Sequence, residues 1–210
     1  MFAGHYTSAF VAKRAAPRAP LWLLLLAAQF VDVLWVLAIL AGVEHARLDH
    51  SLLSNPLDLY DMPWTHSLAG SVVWSAVAFA GARRWLGLAT REAAAVAAVT
   101  LSHWFLDLVV HRPDLTIAGG TTKLGLALWN HPVAAWLLEV VLVVGSVQLV
   151  MTSLAGAKAR TRCFRLGIVL VVLQTATTFG PIPQSVTAMV MSTLAVYVLV
   201  TLAGRWVEGR

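Results

Sequence analysis

Six apolar stretches, at residues 21–43, 62–82, 93–110, 126–155, 166–179 and 184–203, alternate with short polar segments along the chain. Each approaches the roughly 20 residues that an α-helix needs to cross a bilayer core, so the pattern predicts an all-α, polytopic membrane bundle of about six transmembrane helices. The fifth stretch is short and the fourth long. Pro181 and Pro183, with Gly180, interrupt the backbone between the last two stretches, which predicts a tight turn and a helical hairpin. The first apolar run follows Lys13, Arg14 and Arg18 and is too long for a signal-peptide core, so it is expected to stay as the first span. Ahead of it, MFAGHYTSAFVA is mostly uncharged but too short to cross. Residues 1–20 are therefore expected to form a short interfacial or re-entrant helix, and residues 21–210 a single transmembrane bundle domain.

Composition supports lipid as the solvent: 59% of residues are hydrophobic and 12% charged, against roughly 45–50% and 25% in soluble domains. The net charge of +5 does not indicate nucleic acid, because the basic residues sit in short clusters between apolar runs. They report topology instead. Arg47, Arg112 and Lys123 stand on one side of the predicted bundle and the other twelve of the fifteen Lys and Arg on the opposite side, which predicts that both termini are cytoplasmic. The outer side collects Glu44, Asp49, Asp58, Asp61 and Asp114, with Trp64 and Trp129 suited to the interface. The single Cys163 excludes an intramolecular disulfide.

Ionisable residues within the apolar runs carry the candidate chemistry, since each costs roughly 2.5–3.5 kcal/mol at mid-membrane on insertion scales. Asp32 lies in AAQFVDVLW, His66 in PWTHSLAG, His103 and Asp107 in LSHWFLDLVVH, and Glu139 in AAWLLEVVLV. His103, Asp107 and His111 are four residues apart and share one helix face. Imidazole and carboxylate are ligands for zinc or a similar divalent metal. Two readings of HxxxD stand side by side: a metal site, or an Asp107 paired with Arg112 beside a core histidine. Glu139 pairs with Gln148 or joins the site. His45, His50 and His131 fall at the outer boundary and carry no assignment.

Depth favours a shared site. At a rise of about 1.5 Å per residue, Asp32 lies about 16 Å from the start of its run, and His103 and Asp107 lie about 12 Å and 6 Å from an outer end near His111. His66 opens its helix at the outer face, so all four reach the outer half of the bundle. If the N-terminal segment dips inward from Lys13, His5 reaches about 12 Å toward the level of Asp32.

The stretches GHYTSAF, THSLAG and SHWFLDLVVHRPD, in this order, resemble the membrane-bound metal-dependent hydrolases of the bacterial inner membrane, a family that includes LexA-regulated members. The resemblance covers about residues 1–140. It implies a divalent-metal site, with zinc or manganese as the expected metal, built from His5, Asp32, His66, His103 and Asp107. The family often carries His-Arg shortly before THS, where this chain has Asp61-Met62. Hydrolysis of a lipid-linked or membrane-proximal ester or phosphoester follows as the expected activity, with Asp61 or Glu139 as general base. The competing readings are an ion- or proton-coupled transporter, since intramembrane Asp and His also mark ion pathways, and a non-enzymatic structural membrane protein.

Overall fold

A single 3-10 turn at Ala3–His5 leads into helix α1 (Tyr6–Ala15) in the computed structural model, which describes residues 1–209. Arg210, one of the basic residues in the topology count, lies outside the described residues. The apolar residues Tyr6, Ala9 and Phe10 line one face of α1 and are fully buried, so the helix lies within the bundle, against α2 (Leu21–Ala28), α5 (Thr90–Val110) and α6 (Pro132–Met151). Lys13 ends this buried stretch. Its ammonium donates to the Pro17 and Ala19 carbonyls at 2.8 Å and pairs with Glu208 at the end of α8 (Val186–Glu208).

The first apolar run is not one straight helix. It breaks at Gln29 into α2 and α3 (Phe30–Leu40), which meet at 51°. An antiparallel hairpin follows, β1 (His45–Leu48) paired with β2 (Leu57–Asp61) in the register Leu48↔Leu57 and His45↔Asp61. Leu57 and Leu59 turn inward and Asp58 and Tyr60 outward, the alternation of a strand lying on a core. Helix α4 (Leu68–Arg84) then starts at Ser67, whose hydroxyl accepts from the Gly70 N–H at 3.0 Å. After α5 and α6, helices α7 (Ala157–Phe179) and α8 form the expected hairpin across residues 180–185.

Helices α5, α6, α7 and α8 are each long and apolar enough to cross a membrane, and the bent pair α2 and α3 qualifies together as a fifth. Helix α4 begins six residues later than the 62–82 stretch and, at 17 residues, reaches only about 25 Å of a roughly 30 Å core. Two of the six expected spans therefore depart from simple crossing helices, one by a bend and one by length. Phe164, Ile168 and Val172 on α7 and Val198, Leu199 and Leu202 on α8 are exposed, large apolar side chains suited to lipid rather than water. Gly204 lets α8 approach α2 closely: a Cβ there would stand 2.6 Å from the Trp22 Cα.

Candidate metal centre

Helix α5 supplies the spine of the site: its face holds His103 and Asp107, and His111 follows as the extended residue that caps its end, all three buried. The break at Gln29 sets Asp32 on the first turn of α3 beside this face. It also turns the Ala28 carbonyl toward His103, whose Nδ1 lies 2.9 Å from it. His66 enters just ahead of the α4 cap, and His5 ends the N-terminal turn.

These elements bring five of the seven residues singled out in the sequence to one place. The His66 Nε2 lies 3.3 Å from Asp32 Oδ1 and 3.8 Å from Asp107 Oδ2. The His103 Nε2 lies 3.5 Å and 3.0 Å from the same two oxygens. On the other side of Asp107, its Oδ1 faces His5 Nε2 at 3.1 Å and His111 Nε2 at 3.3 Å, and pairs with the Met1 amine. The His5 and His103 rings stack with centroids 3.7 Å apart and planes 7° from parallel.

Hydrogen bonding assigns the ring protons. A carbonyl accepts only, so the 2.9 Å contact with the Ala28 carbonyl puts the His103 proton on Nδ1. The Thr65 hydroxyl gives its one proton to Glu44 Oε2 at 2.6 Å, and its oxygen then accepts from His66 Nδ1 at 2.8 Å. The Asp114 carboxylate accepts from His111 Nδ1 at 2.8 Å. The Nε2 atoms of all three imidazoles are therefore the ones left facing carboxylate oxygens. His103 Nε2, His5 Nε2 and Asp107 Oδ2 are buried without a hydrogen-bond partner despite these short distances. Imidazole nitrogens and carboxylate oxygens gathered in a dry interior are costly unless positive charge, as protons or a cation, stands between them.

The donor set fits a divalent ion. Ligands about 2.0–2.1 Å from a tetrahedral zinc stand about 3.3 Å apart, and the four nitrogen–oxygen contacts among Asp32, His66, His103 and Asp107 run from 3.0 to 3.8 Å. Two compact triads recur in this cluster, His5, His103 and Asp107, and Asp32, His66 and His103. The hydrogen bonds from Nδ1 to an acceptor are the outer support that metal-ligating histidines use to fix ring orientation.

The other two singled-out residues stand elsewhere in the chemistry. Asp61, an expected base, sits on the exposed hairpin, 2.8 Å from His45 Nδ1, and is not among the residues that line the cavity. Glu139 is buried near the cluster, but its Oε2 accepts the Phe2 and Gly4 N–H groups at 2.9 and 3.0 Å instead of pairing with Gln148. It holds the N-terminal segment in place. Nor does Arg112 pair with Asp107; its guanidinium binds Asn130 and the Asn55 and Leu53 carbonyls.

Several contributors were not singled out in the sequence. Glu44, which reads as an outer acidic loop residue, is buried and also accepts the Trp64 and Thr65 N–H groups at 2.7 and 2.9 Å. Tyr197 on α8 donates its hydroxyl to Asp32 Oδ2 at 2.7 Å. A tyrosine midway along an otherwise apolar run was the available signal. Asp32, His66, His111, Glu139 and Tyr197 together face a cavity of about 130 Å³, with Trp35 and Trp129 among its walls. No Lys or Arg lines it among the described residues. No family model, curated protein or solved structure matches the chain.

Proposed function

We propose that the chain is a metal-dependent hydrolase of the bacterial inner membrane, similar to the family named above, that cleaves a lipid-linked or membrane-proximal ester or phosphoester. The observation that carries this reading is the convergence of the Nε2 atoms of His66 and His103 with carboxylate oxygens of Asp32 and Asp107 at 3.0–3.8 Å, with His103 Nε2 and Asp107 Oδ2 buried and lacking a hydrogen-bond partner. In this reading they hold zinc or manganese, and His5 and His111 approach the remaining oxygen of Asp107. A divalent ion so held supplies Lewis acidity, polarising a carbonyl or phosphoryl oxygen and making water acidic enough to attack near neutral pH.

The chain's own groups do the rest. Asp32, His66 and His111 line the cavity, so a substrate entering it meets the site from that side. His111, with Nδ1 bonded to Asp114 and Nε2 turned inward, is the residue arranged to take up a proton. A cavity lacking Lys and Arg leaves neutralisation of a phosphoryl group to the ion. The exposed apolar faces of α7 and α8 support delivery of the substrate from lipid. This reading includes six membrane crossings with cytoplasmic termini, α4 being the short one.

Metal analysis of detergent-purified protein tests the reading. At least one zinc or manganese per chain after reconstitution is expected. A metal-free protein removes the hydrolase reading and leaves the structural one. The bent α2–α3 pair favours the transporter as the second reading, since broken helices line ion paths; metal-dependent ion flux in liposomes without ester cleavage selects it.

A further inference from the structure

Tyr197 lies in α8, outside the part of the chain that carries the family resemblance, and it touches an acid of the site directly. Its hydroxyl donates to Asp32 Oδ2 at 2.7 Å, whereas Asp32 Oδ1 faces His66 and His103 at 3.3 and 3.5 Å. The two oxygens of one carboxylate are thus divided between a phenol and the imidazole cluster. The phenol is itself held: its ring stacks on Phe2 with centroids 6.2 Å apart, and Tyr197 is buried. Phe2 is anchored by its N–H to Glu139 and by its carbonyl, which accepts from Gln29 Nε2 at 2.9 Å.

The geometry points to Tyr197 as a positioning residue that restricts Asp32 to one oxygen at the metal, keeping a coordination position open toward the cavity. The inference rests on the metal reading above and deepens it. A carboxylate binds a metal through one oxygen or both, and a charge-assisted hydrogen bond to the second oxygen favours the single mode. Both Asp32 and Tyr197 line the cavity, so the bond between them borders the space a substrate would enter. Freed of the phenol, that oxygen can rotate onto the ion and fill the place a substrate oxygen needs. Catalytic sites differ from closed structural ones in keeping such a place.

The test uses the full-length, detergent-purified protein loaded with Co²⁺, whose visible spectrum reports coordination, and azide as the entering ligand. Tyr197→Phe keeps the ring that packs on Phe2 and removes only the donor; equal melting temperatures establish that the fold is retained. The unmodified protein is expected to bind Co²⁺ and to change its spectrum with azide, and Tyr197→Phe to bind azide at least about tenfold more weakly, in the 10–100-fold range of outer-layer substitutions. Equal azide affinity in the two proteins overturns the role of Tyr197 and leaves the metal site standing. Co²⁺ binding with no azide response in the unmodified protein also overturns it, since no position is then open. Failure of the unmodified protein to bind Co²⁺ overturns both this inference and the metal reading.

Discussion

The two oxygens of Asp107 face different partners: Oδ2 approaches His66 and His103, and Oδ1 approaches His5, His111 and the Met1 amine. In a low-dielectric interior such a carboxylate is costly without positive charge nearby. Asp107→Asn keeps the volume but offers a cation only a neutral carbonyl oxygen. It is expected to weaken zinc binding more than about 100-fold, beyond the 10–100-fold typical of residues one layer out, with the protein still inserted. Zinc stoichiometry and melting temperature on the same preparation check this, with His103→Gln expected to share the metal defect. At this scale the sequence was informative where chemistry repeats along a helix: His103, Asp107 and His111 are legible from spacing alone. Asp32, His66 and His5 needed depth or resemblance. Glu44, Thr65 and Tyr197 were hidden because their role depends on which side chain stands opposite, which one strand of sequence does not record.

The N-terminal turn is held by side chains from distant helices. Glu139 on α6 takes the N–H groups of Phe2 and Gly4, and Gln174 on α7 takes that of Ala3 at 3.1 Å. The first N–H groups of a helix lack internal partners, so these two residues act as its cap. Glu139→Leu strands two buried donors at about 1–3 kcal/mol each. A lowered melting temperature in detergent is expected, larger than that of Glu139→Gln, whose amide oxygen still accepts. The bend at Gln29 escaped sequence reading for a related reason. LWLLLLAAQFVDVLWVLAIL contains no Pro or Gly, and the break coincides with tertiary bonds from Gln29 to the Phe2 carbonyl and from His103 to the Ala28 carbonyl. Likewise α4 starts late because Glu44 captures the Trp64 and Thr65 N–H groups in a non-helical turn. The hairpin of β1 and β2 was legible in LDLY as alternation, but lay in a segment read as loop.

For the whole molecule, apolar length and charge partition gave the architecture of a helical membrane bundle, and four helices meet the length and hydropathy of a span. They could not reveal that one apolar stretch folds as a bent pair of helices and another as a short helix, because both depend on what packs beside them. The topology is tested by fusions: alkaline phosphatase joined to the C-terminus is expected to be inactive, and the same reporter joined in the loop after β2 active. Activity at the C-terminus would reverse the orientation inferred from Lys and Arg.

The capping of residues 2–4 by Glu139 and Gln174 also bears on the timing of biogenesis. A chain is synthesised from its N-terminus and its early segments settle first when their partners are local. Here Gln29 is the early partner of the first turn, whereas the side chains that take its N–H groups are made more than a hundred residues later. The N–H groups of residues 2–4 therefore find these acceptors only after α6 and α7 have been made, and the nascent chain passes most of its synthesis with the pocket unfinished. On the hydrolase reading proposed above, such an order would keep the site inert until α6 and α7 are in place.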